Sequence, residues 1–257
     1  MKAMIFAAGM GTRLKPLTDT MPKALVPLAG KPLLQWQVEK LRDAGITDIV
    51  VNVHHFPDQI IGAVRASNGW GCRIAVSDER DALLDTGGGL RKARELLQGD
   101  EPVLACNVDI LSNIDIRTLI AEYRRQSLNS DEQYAGLLVV SPRETQRYLL
   151  FEQDLTLRGW TNIATGELKP ASLAGHTGAL RRLAFSGMQI LHPQIFNTMD
   201  KVVNEKGDKF SLIDLYLSLC ETKTLKAYVP ADYRMMDVGK IDQLAEAECF
   251  AQSLICS

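Results

Sequence analysis

Residues 6–25 read FAAGMGTRLKPLTDTMPKAL and place a glycine-rich turn directly after an apolar run. The apolar residues Ala3 to Ala8 predict a buried strand, and Gly9 and Gly11 allow a tight turn after it. Such a turn can direct several backbone N–H groups into one concavity, where they hold phosphate oxygens. The stretch is therefore compatible with a phosphate loop at the end of the first strand of an α/β sheet. On the glycines alone, a simple strand-end turn is the favoured interpretation.

Two common nucleotide motifs are excluded in this loop. A dinucleotide fingerprint needs glycine at position 14, which is Leu14, and no G-K-[ST] of a P-loop follows. The turn is followed instead by Arg13 and, after a proline-punctuated loop, by Lys23. Two cations at this spacing can both reach one polyphosphate.

The rest of the chain alternates between strands and helices up to Ser141, at the spacing of βαβ units. The pattern predicts strands at 3–8, 47–55, 72–78, 102–110 and 134–141, and helices at 31–45, 57–67, 86–98 and 115–126. Beyond it we expect short β elements at 147–154, 155–162 and 181–192, and helices at 211–221 and 240–254. This predicts an α/β fold with a doubly wound, mostly parallel, Rossmann-like sheet. We expect a single domain over 1–257, with a nucleotide-binding part (1–141) and a smaller acceptor-binding part (142–257).

Composition excludes several classes of partner. The 257 residues carry 29 basic and 31 acidic side chains spread along the chain, so no basic stripe marks a binder of nucleic acid or membrane surfaces. No apolar run approaches bilayer length, and we expect a cytoplasmic protein that is a monomer or a small homo-oligomer. The cysteines are scattered and are expected to be reduced thiols: Cys72, Cys106, Cys220, Cys249 and Cys256.

The stretch from Ala7 to Pro32 resembles the signature of sugar-1-phosphate nucleotidyltransferases, A-A-G-x-G-T-R-L-x-P-L-T followed by P-K-x-L-x-P-x-x-G-K-P. Further segments extend the resemblance over nearly the whole chain: DTGGGLRKA (85–93), NVDI (107–110), FSGMQILHPQIF (185–196), KFSLIDLY (209–216) and MDVGKIDQLAEAE (236–248). Within this family, the T-G-G-G triplet, the compact length and the lack of a β-helix domain are most similar to N-acetylmuramate α-1-phosphate uridylyltransferases. Mannose-1-phosphate guanylyltransferases are next.

The resemblance implies an enzyme that joins a nucleoside triphosphate to a sugar 1-phosphate, giving an NDP-sugar and pyrophosphate. This reaction needs charge neutralisation, in-line positioning and Mg²⁺, but no nucleophilic side chain. UTP with N-acetylmuramate 1-phosphate, in cell-wall recycling, is the implied pair, with GTP and mannose 1-phosphate as the alternative. A non-catalytic sensor of NDP-sugars is a third hypothesis, but it would be expected to have lost at least one of Arg13, Lys23, Asp109 and Asp237.

The resemblance also implies roles for individual residues. Arg13, Lys23 and Asp109 are the implied catalytic residues: Arg13 pairs with the leaving pyrophosphate, and Lys23 bridges the α-phosphate and the acceptor phosphate. A solvated loop cation and a surface lysine are the alternatives for the first two. The implied nucleotide-binding residues are Ala7, Ala8, Gly9, Gly11, Thr12, Arg13, Lys23, Gly87 and Gly88. Among them, the backbones of Ala7, Ala8, Gly87 and Gly88 match the positions that meet the base edge in the family.

Asp109 and Asp237 are the implied Mg²⁺ ligands. Asp109 follows an apolar strand, and Asp237 lies in MMDVG, a short strand-like segment. Carboxylates from distant parts of a chain are typical Mg²⁺ ligands. A helix cap and a turn-forming side chain are the alternatives. Val108 and Lys240 depart from the family pattern, and we expect Lys240 in the exposed first turn of the last helix.

The acceptor side is predicted less sharply. The candidate sugar-phosphate residues are Asn107, Glu152, Ser186 and Gly187, with Arg147 and Lys209 as further charged candidates. A muramate carboxylate would need a cation, for which Arg147, Arg181 and Arg182 remain unranked. Asn52, His54 and His55 are expected to be ordinary polar loop residues at the end of the second strand.

Overall fold

A computed structural model describes residues 1–129, 133–220 and 222–255. Its first strand, β1 (Lys2–Phe6), shows why helices cover both faces of the sheet. Ala3 and Ile5 pack into one hydrophobic cluster, whereas Met4 and Phe6 pack into a second cluster on the opposite face. Because neighbouring side chains of a strand point to opposite faces, an entirely apolar strand must be buried on both sides.

The helices and strands follow the predicted order closely. The strands after β1 are β2 (Pro27–Leu28), β3 (Lys31–Pro32), β4 (Asp48–Val53), β5 (Arg73–Asp78), β6 (Val103–Asn107), β7 (Ile110–Ser112), β8 (Tyr134–Ser141), β9 (Arg147–Phe151), β10 (Leu157–Asn162), β11 (Glu167–Lys169), β12 (Arg181–Leu191), β13 (Thr224–Tyr228) and β14 (Met235–Asp237). The helices are α1 (Leu33–Asp43), α2 (Pro57–Ala66), α3 (Asp85–Lys92), α4 (Arg94–Leu97), α5 (Ile116–Leu128), α6 (Ile195–Lys206), α7 (Leu212–Leu219) and α8 (Leu244–Ile255). None of the helices in the described ranges is long and apolar enough to span a bilayer.

One large sheet contains strands from both ends of the chain, in the order β11-β10-β9-β12-β6-β1-β4-β5, with β8 beside β12 and β13 beside β8. The central strands β6, β1, β4 and β5 are parallel, and β12 joins them antiparallel to β6. Side chains of α1, α2, α5 and α8 pack on one face, and those of α3, α4, α6 and α7 on the other. The prediction of a doubly wound α/β fold with a mostly parallel central sheet is confirmed.

The predicted strand at 102–110 is wrong in one respect that matters for the site. The strand ends at Asn107, the chain turns at Val108 and Asp109, and β7 then pairs with β14 instead of continuing the large sheet. In that pairing Asp237 lies opposite Ile110. The turn therefore brings the segment that carries Asp237 next to Asp109, although the two residues are distant in sequence.

Other differences are smaller. The predicted helix at 86–98 is interrupted at Ala93, and the last helix begins at Leu244, so the exposed Lys240 precedes it. Helix α6 and strands β11 and β13 were not predicted. Glu221, the predicted end of the helix at 211–221, and Cys256 lie outside the described residues, among which no disulfide is formed.

Candidate active site

A cavity of about 590 Å³ opens at the carboxyl ends of β1, β4 and β6. Open α/β sheets place their ligands at this edge. Most of the walls come from the loop after β1, the end of β4, the start of α3 with the residues before it, and the turn after β6, and single residues from three other segments complete them. Its lining residues are Phe6 to Arg13, Lys23, Asn52, Leu83, Asp85, Thr86, Asn107, Val108, Asp109, Lys209 and Gly239.

The glycine loop forms one wall, and its conformation requires Gly11. The φ of Gly11 is +63°, and a Cβ atom there would lie 2.8 Å from Cγ2 of Thr18 and 3.1 Å from Cβ of Lys23. The carbonyl of Gly11 accepts hydrogen bonds from the Leu14 amide (2.8 Å) and the Thr18 hydroxyl (2.9 Å). The loop is therefore held closed against the segment that carries Lys23, and its lining residues face the cavity.

The two predicted cations lie beside the two predicted carboxylates. Lys23 is only 7% exposed, and its Nζ forms an ion pair with Oδ2 of Asp109. Arg13 is more exposed, and its Nη2 lies 4.0 Å from Oδ2 of Asp237. Arg13, Lys23 and Asp109 line the cavity, whereas Asp237 does not line it but lies beside Arg13. The structure thus brings two cations and two carboxylates together, a combination suited to phosphate and a cation.

The two carboxylates have the donor chemistry of a Mg²⁺ site. The Val238 amide donates to the Asp109 carbonyl at 2.8 Å, which holds Asp237 next to Asp109. Burial and then the charge of Asp109 raise the pKa of Asp237, while Lys23, Arg13 and Arg143 oppose the rise. No cluster of three or more His, Cys, Asp or Glu side chains suited to a metal occurs in the part of the chain that the structure describes. Two carboxylates fit an ion that keeps waters and takes its other oxygens from substrate phosphates, as Mg²⁺ does.

The glycine triplet lies behind the cavity wall. The N–H groups of Gly87 and Gly88 donate to the Phe210 carbonyl at 2.9 and 3.1 Å, and neither residue lines the cavity. A Cβ atom on Gly88 would lie 2.2 Å from the Asp208 carbonyl oxygen. The glycines therefore let the segment 208–211 sit directly on α3, which places Lys209 in the cavity wall. Contact of these glycines with a base stays a prediction.

Asn107 lines the cavity, and Gly187 lies directly beside it without lining the cavity itself. Strand β12 bulges between Phe185 and Gln189, and Gly187 within the bulge has a φ of +71°. A Cβ atom on Gly187 would lie 2.9 Å from Cγ1 of Ile110 and 3.1 Å from Nδ2 of Asn107. The absence of a side chain at Gly187 thus allows the Asn107 amide to approach β12 closely, and the neighbouring Ser186 is buried.

Comparison with known proteins agrees with this geometry. A model of the nucleotidyl transferase family matches residues 2–253. The chain belongs to the nucleotidyl transferase family. It is 35% identical over 253 residues to the N-acetylmuramate alpha-1-phosphate uridylyltransferase of Neisseria meningitidis serogroup B, covering 98% of each chain. It is also 38% identical over 143 residues to the mannose-1-phosphate guanyltransferase of Aspergillus fumigatus, covering 55% of this chain and 37% of that protein. The predicted family resemblance is confirmed.

Solved structures share the fold of this nucleotidyl transferase. A UDP-glucose pyrophosphorylase complexed with UDP-glucose superposes with a TM-score of 0.74 at 18% identity, covering 98% of this chain and 99% of that chain. A putative glucose-1-phosphate thymidylyltransferase from Bacillus anthracis gives a TM-score of 0.80 at 17% identity, covering 98% and 95% of the two chains. These likenesses extend over the whole described sheet, and no β-helix is formed by the described residues.

Several predicted acceptor residues lie elsewhere in this nucleotidyl transferase. Glu152 follows β9 in a hairpin turn, where its Oε1 forms an ion pair at 3.0 Å with Nε of Arg158, and it does not line the cavity. Arg147, Arg181 and Arg182 are exposed on β9 and β12, and none of them lines the cavity either. The structure therefore does not bring these four side chains together with the glycine loop.

Sequence reasoning also missed residues of the site. Asn52 was expected in a polar loop, but it lies within β4, is 2% exposed and accepts a hydrogen bond from the Ala7 amide. Glu79, which donor groups from two cavity walls contact, was not singled out, although an acidic residue directly after a predicted strand is a signal for this edge. Arg143 was also missed: its Nη2 donates to the Phe185 carbonyl at 3.1 Å, and its charge lowers the pKa of Asp237.

Proposed function

We propose that the protein transfers a uridylyl group from UTP to N-acetylmuramate 1-phosphate, releasing pyrophosphate in a Mg²⁺-dependent reaction. The observation that carries the substrate assignment is the 35% identity to the Neisseria meningitidis uridylyltransferase, which extends over 98% of both chains. With this pair of substrates the enzyme serves cell-wall recycling in the cytoplasm, where its cysteines stay reduced.

The cavity residues have separate tasks in this reaction. The N–H groups from Gly9 to Thr12 hold the β- and γ-phosphates, and Arg13 pairs with the pyrophosphate as it leaves. Lys23 neutralises both the α-phosphate and the acceptor phosphate. An oxygen of the sugar phosphate forms a bond to the α-phosphorus while the bond to the bridging oxygen breaks, and the electron pair leaves on pyrophosphate.

No residue has to act as a nucleophile or a proton shuttle in this scheme. The acceptor phosphate is itself the nucleophile, and the leaving group is a stable anion at neutral pH. The cavity-lining residues that the structure describes include no histidine or cysteine, which agrees with a reaction driven by charge neutralisation and alignment. Asp109 and Asp237 would hold Mg²⁺, which supplies further neutralisation of the phosphate charges when bound.

A guanylyltransferase acting on mannose 1-phosphate is the second candidate. It is favoured by the 38% identity over 143 residues to the Aspergillus fumigatus guanyltransferase. A non-catalytic sensor of NDP-sugars is the third candidate, and the presence of all four charged residues in one cluster argues against it.

The decisive experiment measures pyrophosphate release with Mg²⁺ for UTP, GTP, CTP, ATP and dTTP against four sugar 1-phosphates. The sugars are N-acetylmuramate, mannose, glucose and N-acetylglucosamine. We expect turnover with UTP and N-acetylmuramate 1-phosphate. Turnover confined to GTP with mannose 1-phosphate would establish the second candidate, and no turnover with any pair, together with binding of an NDP-sugar, would establish the sensor.

A further inference from the structure

Glu79 is a fully buried carboxylate next to the nucleotide side of the cavity. It follows β5, its exposed fraction is 0%, and burial raises its pKa. A buried carboxyl group is costly unless donors satisfy its oxygens. Here Oε1 accepts a hydrogen bond from Nδ2 of Asn52 at 2.7 Å, and Oε2 accepts one from the Leu84 amide at 3.4 Å.

Asn52 connects Glu79 to the glycine loop by hydrogen bonds. Its Oδ1 accepts a hydrogen bond from the Ala7 amide at 2.7 Å, while its Nδ2 donates to Glu79. Because the Ala7 N–H only donates and the Glu79 oxygen that faces Asn52 accepts, the two neighbours allow one orientation of the Asn52 amide. In the reversed orientation, the Asn52 NH₂ group would face the Ala7 N–H, and the Asn52 carbonyl oxygen would face Oε1 of Glu79. Glu79 therefore fixes the group that holds the start of the loop.

Three cavity walls are consequently linked through the hydrogen-bonded pair of Asn52 and Glu79. Ala7 begins the glycine loop, Asn52 lies at the end of β4, and Leu84 lies between the lining residues Leu83 and Asp85. We propose that Glu79 is a positioning residue for the nucleotide, which holds the segment before α3 and the glycine loop at a fixed separation without touching the substrate. The proposal rests on the proposed function only in taking the cavity to bind a nucleoside triphosphate.

The third glycine of the triplet provides independent support. A Cβ atom on Gly89 would lie 2.7 Å from Oε1 of Glu79 and 2.8 Å from Nδ2 of Asn52. Gly89 is inside α3, where alanine would otherwise be the more favourable residue. The missing side chain thus makes room for the hydrogen-bonded pair, and a methyl group at this position must displace it.

The first experiment exchanges the two halves of the pair. Isothermal titration calorimetry with UTP, GTP, CTP, ATP and dTTP identifies the nucleotide that the wild type binds most tightly, and its Kd is then measured for each variant. Asn52→Asp places two carboxylates together and should weaken binding at least tenfold. Adding Glu79→Gln restores complementary groups, since the introduced amide donates to the introduced carboxylate, which still accepts from Ala7. We expect the double variant to return to within threefold of the wild-type Kd. Equally weak binding by both variants would overturn the proposal, because it would mean that Asn52 acts by direct contact alone.

A second pair of variants covers the case in which the exchanged pair does not fold. Gly89→Ala should weaken nucleotide binding at least fivefold. Gly62→Ala is the matched control, since Gly62 is also inside a helix, α2, and a Cβ atom there would meet no atom of another described segment within 4 Å. The control should raise the melting temperature and leave the Kd unchanged. If Gly89→Ala behaves like the control, the proposal is wrong. Calorimetry measures nucleotide binding and needs no turnover. If none of the nucleotide and sugar phosphate pairs were turned over, the proposed function would be refuted, but the positioning role of Glu79 would still be tested by the Kd values.

Discussion

Replacing Lys23 by methionine separates the catalytic and structural contributions of one buried cation. Lys23 is 7% exposed and forms its ion pair with Asp109, whose side chain is 23% exposed. Methionine has nearly the same length and fills the same space without a charge. The variant therefore removes the cation at the reacting phosphates and leaves Asp109 without this partner.

The two effects have different expected sizes. Loss of one preorganised charge donor lowers kcat by about 10²–10³-fold, equivalent to about 2.7–4 kcal/mol. Breaking a fully buried ion pair costs about 3–5 kcal/mol of stability. Because Asp109 retains some contact with water, we expect a smaller loss of about 1–3 kcal/mol in the free energy of unfolding. At about 2–4 °C per kcal/mol for a chain of this size, the melting temperature should fall by about 2–12 °C.

Pyrophosphate release and thermal unfolding measure the two effects separately. Lys15→Met is the matched control, since Lys15 lies on the same loop and forms an exposed pair with Asp19 at 2.9 Å. An exposed pair contributes about 0–1 kcal/mol, so this control should retain its turnover and nearly all of its stability. The reasoning is refuted if Lys23→Met keeps kcat within tenfold of the wild type, whatever happens to its melting temperature.

Three further predictions concern the carboxylates and the bulge. Asp109→Asn should abolish most turnover at saturating Mg²⁺ while circular dichroism shows an intact fold, and near-normal turnover would exclude a metal-binding role. Asp237→Asn should raise the melting temperature of the metal-free protein at pH 7. The pKa of Asp237 in the folded state lies above the ordinary 3.8, so ionisation of this carboxyl lowers the stability of the folded protein as the pH rises from 3.8 through the folded-state pKa. At pH 3 the carboxyl is protonated in both states, and the stability gained by the variant should vanish. An unchanged melting temperature at pH 7 would contradict this assignment. Gly187→Ala should raise the KM for the sugar phosphate by displacing Asn107, with the KM for the nucleotide as the control; equal changes in both would argue against an acceptor role.

The nucleotide side could largely be predicted because its signals are local. Gly9 and Gly11 come soon after a buried strand, and Arg13 and Lys23 follow in the same loop region, so residues that are close in sequence also lie together in the fold. Asp109 was found for the same reason, since the end of an apolar strand marks the carboxyl edge of the sheet.

The missed parts of the site depend on contacts between distant segments. Glu79 acquires its role only when the end of β4 and the start of the glycine loop lie beside it. Glu152 was predicted to bind the sugar phosphate because it is a charged residue in the second part of the chain. In the structure it forms an ion pair with Arg158 on the neighbouring strand instead. The role of Gly88 was also hidden, because the chain that packs against it comes from residue 208. Side-chain type alone does not distinguish these cases.

The close packing of residues 208–211 against α3 limits which positions of this protein can be changed to alter its specificity. Gly88 has no space for even a methyl group, and any larger residue would push Lys209 out of the cavity wall. A library aimed at a different nucleotide under the proposed function should therefore vary Leu83 and Asp85, which line the cavity. Thr86 also lines it, but its hydroxyl accepts a hydrogen bond from the Leu212 amide at 3.0 Å and so belongs to the same packed region. Variation at Gly88 would displace Asp208 and with it the neighbouring Lys209, so this wall of the cavity cannot be changed independently of α3.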